Sequence, residues 1–177
     1  MSMRLPVAVI LICGFTALSL AQAPPEGPTP GPEHKRLEYF LGTWKIEYEL
    51  KPNGYMPAGK GVITQTNTLG PGGFSVEIRA EGANYPRTDG IIAYDSHANV
   101  YTEFYASSAG LVGTCTGTVD GNTWTWMVED KWLGKAVKGR TTITMLSASQ
   151  YTSKYEMLDA NGRYVTILEG TATKVAP

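Results

Sequence analysis

Beyond Gly42 no stretch of the sequence keeps a helical period. About ten short runs of strand-like alternation instead follow one another to the C-terminus, separated by turn chemistry. They read as Thr43 to Leu50, Gly61 to Leu69, Phe74 to Ala80, Gly90 to Tyr94, Val100 to Ala106, Leu111 to Val119, Thr123 to Glu129, Val137 to Leu146, Gln150 to Met157 and Arg163 to Lys174. The breaks carry Pro52, Asn53 and Gly54, then Gly70 to Gly73, Asp95 to Asn99, Asp120 to Asn122, and Asp159 to Gly162, residues that supply the fixed or positive φ of tight turns. An antiparallel meander of this kind leaves two unpaired edges, and closure into a barrel removes them.

The stretch Leu37 to Leu50 sets the start of that meander. Leu37, Phe40 and Leu41 have helical spacing, whereas Trp44, Ile46, Tyr48 and Leu50 alternate with Thr43, Lys45, Glu47 and Glu49. The period changes at Gly42, where a helix end often needs positive φ. One short helix, with Glu33 favourably placed in its first turn, therefore runs into a half-buried first strand. If the barrel closes, antiparallel pairing sets Trp44 beside Lys174. Lys174 then either lies across the indole in a cation–π contact worth roughly 0.5 to 2 kcal/mol, or frays with the terminus.

The first 21 residues have the layout of a secretory signal peptide: Arg4 in a short charged start, a mostly apolar Leu5 to Leu20, then small residues. Cleavage after Ala21 avoids placing Pro24 just behind the cut, as cleavage after Ala23 would. A retained anchor is the alternative, but the apolar run is about 16 residues, interrupted by Gly14, Thr16 and Ser19, against the roughly 20 a spanning helix needs. Residues 22–32 form a leader, with five prolines between Pro24 and Pro32, and the domain is expected over residues 33–177. Removing residues 1–21 from 177 leaves 156, a single-domain length. Of 15 Lys and Arg, 14 then face 16 Asp and Glu. That near neutrality argues against nucleic acid or an anionic membrane surface as partner. Cys13 leaves with the signal, so Cys115 has no intramolecular disulfide partner. The expected location is outside the cell or in the periplasm, with oligomeric state left open.

The short helix with Gly42, Thr43 and Trp44, followed by a meander ending near a basic residue, resembles the calycin superfamily of lipocalin-like and fatty-acid-binding-like barrels. PGPEHKRLEYFLGTW together with GIIAYDSHANVYTEFY is similar to an uncharacterised bacterial family of lipocalin-like barrels known only as a domain of unknown function. The resemblance spans about Pro30 to Val175. It implies a small up-and-down barrel with an internal cavity and brings no substrate, cofactor or catalytic residue with it. Haem-binding relatives in the superfamily use a histidine near the C-terminus, and none stands there in this chain.

Candidate lining residues follow from parity. Trp44, Tyr48, Phe74, Tyr94, Phe104, Trp124 and Trp126 each fall on the more apolar side of their runs. About ten strands enclose more space than side chains readily fill, so these aromatics line a pocket or form ordinary core. Thr64, Thr66 and Thr68 share one face of the second strand and Gln65 and Asn67 the other, so either register brings polarity inward. Catalytic signals are thin. Asp95 and His97 suit a turn better than a metal site, and His34 lies in the leading helix. Cys115 reads as a small wall residue. No nucleophile elbow, phosphate loop or zinc-binding helix occurs. The expected protein is thus a secreted all-β barrel binding a small apolar or amphipathic molecule without transforming it, with no cofactor and no metal. Two rivals stand beside it. One is a barrel isomerase or hydrolase using an interior carboxylate, Glu169 or Glu156, with Tyr151 or Tyr155. The other is an interaction module working through Lys131, Trp132 and Leu133.

Overall fold

The computed structural model describes residues 27–52, 57–132 and 134–175. The expected signal segment, the start of the leader, Asn53 and Gly54 of the first turn, and Leu133 lie outside the described residues.

Ten antiparallel strands are present among the described residues: β1 (Gly42–Leu50), β2 (Gly59–Leu69), β3 (Ser75–Gly82), β4 (Tyr85–Asp95), β5 (Val100–Ser107), β6 (Val112–Asp120), β7 (Thr123–Trp132), β8 (Lys135–Ser147), β9 (Gln150–Leu158) and β10 (Tyr164–Lys174). Each pairs with its sequence neighbours, and β1 also pairs with β10, so the sheet is a closed, lipocalin-like barrel with no free edge. Closure sets Trp44 opposite Lys174 and Leu50 opposite Leu168. β4 starts at Tyr85, earlier than the sequence pattern suggests. Pro86 interrupts the strand signal there but occupies only its second position, where a missing N–H removes little pairing.

The one α-helix among the described residues, α1 (Pro32–Arg36), continues as a 3₁₀ turn over Leu37–Phe40. Pro32 begins it at a position where no N–H is needed, and Glu33 in its first turn pairs with Arg36 at 3.2 Å. The turn drives Leu37 and Phe40 into the barrel end, where they are 1% and 5% exposed. The carbonyl of Phe40, left without a helical partner, accepts from Trp44 Nε1 at 2.8 Å and from Asn67 Nδ2 at 2.7 Å. Tyr39 donates its hydroxyl to the carbonyl of Ser147 at 2.9 Å, and Tyr101 donates to Glu33 Oε2 at 2.7 Å. The helix is therefore fastened to three places around one rim.

Gly42 makes the junction possible. Its φ is +97°, and a Cβ there would lie 3.1 Å from Lys174 Cε. With no side chain in the way, Lys174 reaches across the first strand and sets Nζ 5.2 Å from the centre of the Trp44 ring.

Candidate functional site

The interior falls into two halves. At the helix-capped end Trp44, Trp124 and Trp126 are 0%, 1% and 3% exposed. Tyr151 packs 4.9 Å from Trp44, Tyr101 4.7 Å from Trp124, and Phe40 5.2 Å from Trp124, centroid to centroid. Tilted and edge-on contacts of this kind pack the rings against one another there. Trp124 Nε1 is a buried side-chain donor with no partner among the described residues.

In the other half the inward positions are more polar. Tyr48, Tyr85, Glu103, Tyr105, Asp130, Thr141, Ser153 and Tyr155 take the inward parity of their strands, yet all are only half-buried. Several large rings there lie along the wall instead of across it, because a neighbouring strand offers a glycine beneath each. A Cβ on Gly61 would sit 2.5 Å from the Tyr48 hydroxyl. One on Gly139 would be 2.7 Å from the Tyr155 ring. Gly113 separates Tyr105 from Asp130 in the register, and a Cβ there would strike both, at 2.4 and 2.2 Å. Its absence lets the Tyr105 hydroxyl donate to Asp130 Oδ1.

Glu103 is the centre of this half. It lies beside Ile92 on β4 and Cys115 on β6. Burial, and secondarily the charge of Asp130, push its carboxyl up to about 7. Among the described residues no cation and no hydrogen bond acts on it. Burial raises Asp130 too, against the pull of its bond to Tyr105. The field of Glu103 reaches Tyr85 on β4, Tyr105 beside it, Cys115 on β6 and Tyr151 on β9, so the carboxyl points into the interior and not along its own strand. Burial, and secondarily these two carboxylates, drive the Cys115 thiol well above its ordinary value. Tyr48 and Tyr85, from strands separated by two others, meet with centroids 6.4 Å apart.

Of the aromatics singled out in the sequence, Trp44, Tyr48, Tyr94, Trp124 and Trp126 face inward. Tyr94 is half-buried near the capped rim, 4.9 Å from Tyr101 and 5.6 Å from His34. Phe104 is a correction: it points outward and is 50% exposed. Tyr101 and Tyr105 compete for the opposite parity of β5, and burying two tyrosines carries Glu103 inward with them. Phe74 is a second correction. It follows a 3₁₀ turn, Pro71–Gly73, outside β3, and packs edge-on against His34 at 5.0 Å at the capped rim. In β2 the threonines face out, while Gln65 and Asn67 face in.

The carboxylates expected of an enzyme stand elsewhere. Glu169 is on the outer face, 53% exposed and 3.5 Å from Lys51. Glu156 is buried but also outward, held by Arg140 at 2.7 Å and Lys154 at 3.1 Å. Burial pushes its carboxyl up, and those two cations outweigh the burial and leave it lowered. Glu103 and Asp130 are the interior pair, and parity would have found both: Trp124, Trp126 and Val128 continue straight to Asp130. Asp95 Oδ1 accepts the backbone N–H groups of His97 and Ala98, which is turn chemistry. Lys131 is exposed, while the side chain of Trp132 lies outside the described residues. No group of three or more His, Cys, Asp or Glu among the described residues could hold a metal ion.

An outer groove of about 940 Å³ crosses β8, β9, β10, β1 and β2, lined by Thr142, Thr144, Thr152, Lys154, Glu47 and Glu49 among others. Its charges are already paired, Lys45 with Glu47, and Lys51 and Lys60 with Glu49. Such a self-satisfied surface offers a ligand little.

Residues 29–174 match the model of the family described as "Protein of unknown function (DUF1579)". Among solved structures, Rv2717c from M. tuberculosis superposes with a TM-score of 0.64 at 10% identity, covering 82% of this chain and 99% of its own. The S-type phycobiliprotein lyase CPES from Guillardia theta superposes with a TM-score of 0.56 at 12% identity, covering 82% and 93%. At such identities the likeness is one of fold. No curated protein sequence matches.

Proposed function

We propose that this chain, which belongs to the DUF1579 family, binds a small amphipathic molecule in the uncapped half of its barrel and releases it unchanged. One observation carries the reading: Glu103 takes an inward position, half-buried among half-buried rings, where burial raises its carboxyl and no hydrogen bond or cation from the described residues meets it. A buried polar group left unpaired costs a fold roughly 1 to 3 kcal/mol or more, which a bound molecule can recover. The fold likeness to a phycobiliprotein lyase agrees with a barrel that accommodates a ligand. With the signal segment removed after Ala21, the protein acts in the periplasm or medium, needs no metal or cofactor, and engages neither nucleic acid nor membrane. Lys174 and Trp44 serve closure, while Tyr48 borders the ligand.

The test is native mass spectrometry of the protein purified from its own source, followed by denaturation to release what is held. A stoichiometric small molecule is expected. A bare protein whose tryptophan fluorescence ignores fatty acids, haem and aromatic probes would sink the reading. A second reading is favoured by the same group, since a carboxyl near 7 can give or take a proton at neutral pH. In that case the recovered molecule is converted by the protein and left intact by Glu103→Gln.

A further inference from the structure

The interior half that holds Glu103 has a definite electrical sign, and the sign narrows the ligand. Two carboxyls, Glu103 on β5 and Asp130 on β7, flank Cys115 and Gly113 of the strand between them. Opposing them are aromatic faces: Tyr105 bonded to Asp130, Tyr85 against Tyr48, and Tyr155 over Gly139. The groups that face Glu103 from the packed elements are Tyr85, Tyr105, Cys115, Asp130 and Tyr151, every one neutral or negative. Basic side chains are elsewhere. Arg140 and Lys154 are taken up on the outer face by Glu156, Lys174 lies over Trp44 at the capped rim, and Lys135 is exposed at the start of β8.

An anionic ligand would meet two carboxyls and no counter-charge. A neutral one would leave Glu103 as it stands. A cation supplies what the site lacks, because the negative faces of aromatic rings and a desolvated carboxylate attract the same charge. We infer that the molecule held in the barrel is an amphipathic cation, an amine or quaternary ammonium whose charged head lies between Glu103 and Asp130 and whose apolar body lies along the tyrosine rings. The inference rests on the barrel being a binding site, and it adds the charge of what is bound.

Three probes of equal chain length separate the two claims: octyltrimethylammonium, 1-octanol and octanoate, each titrated at pH 8 with tryptophan fluorescence as readout. The cation is expected to bind at least about tenfold more tightly than the alcohol, with octanoate weakest. Glu103→Gln and Asp130→Asn should each remove most of that preference for the cation over the alcohol. Glu103→Gln preserves shape and removes a buried charge, so it folds even if Asp130→Asn disturbs Tyr105. Lowering the pH from 8 to 6 should weaken the cation alone, as Glu103 takes up its proton. If alcohol and cation bind equally, or octanoate binds best, the cation inference falls and the binding reading stands. If none of the three binds, both fall together.

Discussion

The two ends of this barrel are built on the same ten strands and solve opposite problems. At the capped end α1 and the 3₁₀ turn bring in Leu37 and Phe40, aromatic rings fill the space, and Trp44, Asn67 and Tyr101 all have hydrogen-bond partners. At the opposite end a carboxyl is raised by burial with no partner among the described residues, and rings lie back over glycines. One end secures the fold; the other spends stability on a polar interior that packing alone would not select. A barrel can therefore divide its labour along its axis without dividing into domains.

The comparison predicts unequal and even opposite responses to substitution. Trp44→Ala at the capped end removes a fully buried ring and its bond to Phe40, and should cost about 4 kcal/mol in denaturant unfolding. A loss under 1 kcal/mol would mean that this end is not the anchor. Glu103→Gln should do the reverse. The carboxyl titrates near 4.5 when unfolded and near 7 when folded, so between those values the unfolded state ionises first and stability falls as pH rises. The penalty is absent below the unfolded value and complete above the folded one. Its removal should stabilise the protein by up to about 3 kcal/mol at pH 8 and by almost nothing at pH 4, read from melts at both. An equal gain at both pH values would place the cause outside this ionisation.

Smaller effects refine the division. Gly113→Ala should part Tyr105 from Asp130 and cost about 1 to 3 kcal/mol, whereas Gly59→Ala, with nothing within 4 Å of the new Cβ, should be nearly neutral. Equal effects would show that the close fit over Gly113 relaxes freely. Lys174→Gln removes the cation from the Trp44 face and should cost about 0.5 to 1 kcal/mol, less than the change at Gly113.

The strand count, the closure of β1 on β10 and the leading helix were legible because each depends on local periodicity or turn chemistry. The Trp44 and Lys174 pairing followed from closure itself. Parity failed where a strand carried large apolar groups on both sides: in β5 Phe104 argues for one face, and Tyr101 with Tyr105 for the other, so only the neighbouring strands decide. That error hid Glu103, since its direction is set by the two tyrosines flanking it. The glycines beneath Tyr48, Tyr105 and Tyr155 were equally opaque, because each ring meets a glycine on another strand whose register no single segment reveals.

The strand directions have one more consequence. β1 begins and β10 ends at the capped rim, where the Val175 N–H donates to the carbonyl of Thr43 at 2.8 Å. The chain thus enters and leaves the barrel on one side, and the half holding Glu103 faces the other. The first and last strands therefore meet the rest of the chain at the rim that α1 covers, and the pairing that closes the barrel is anchored there.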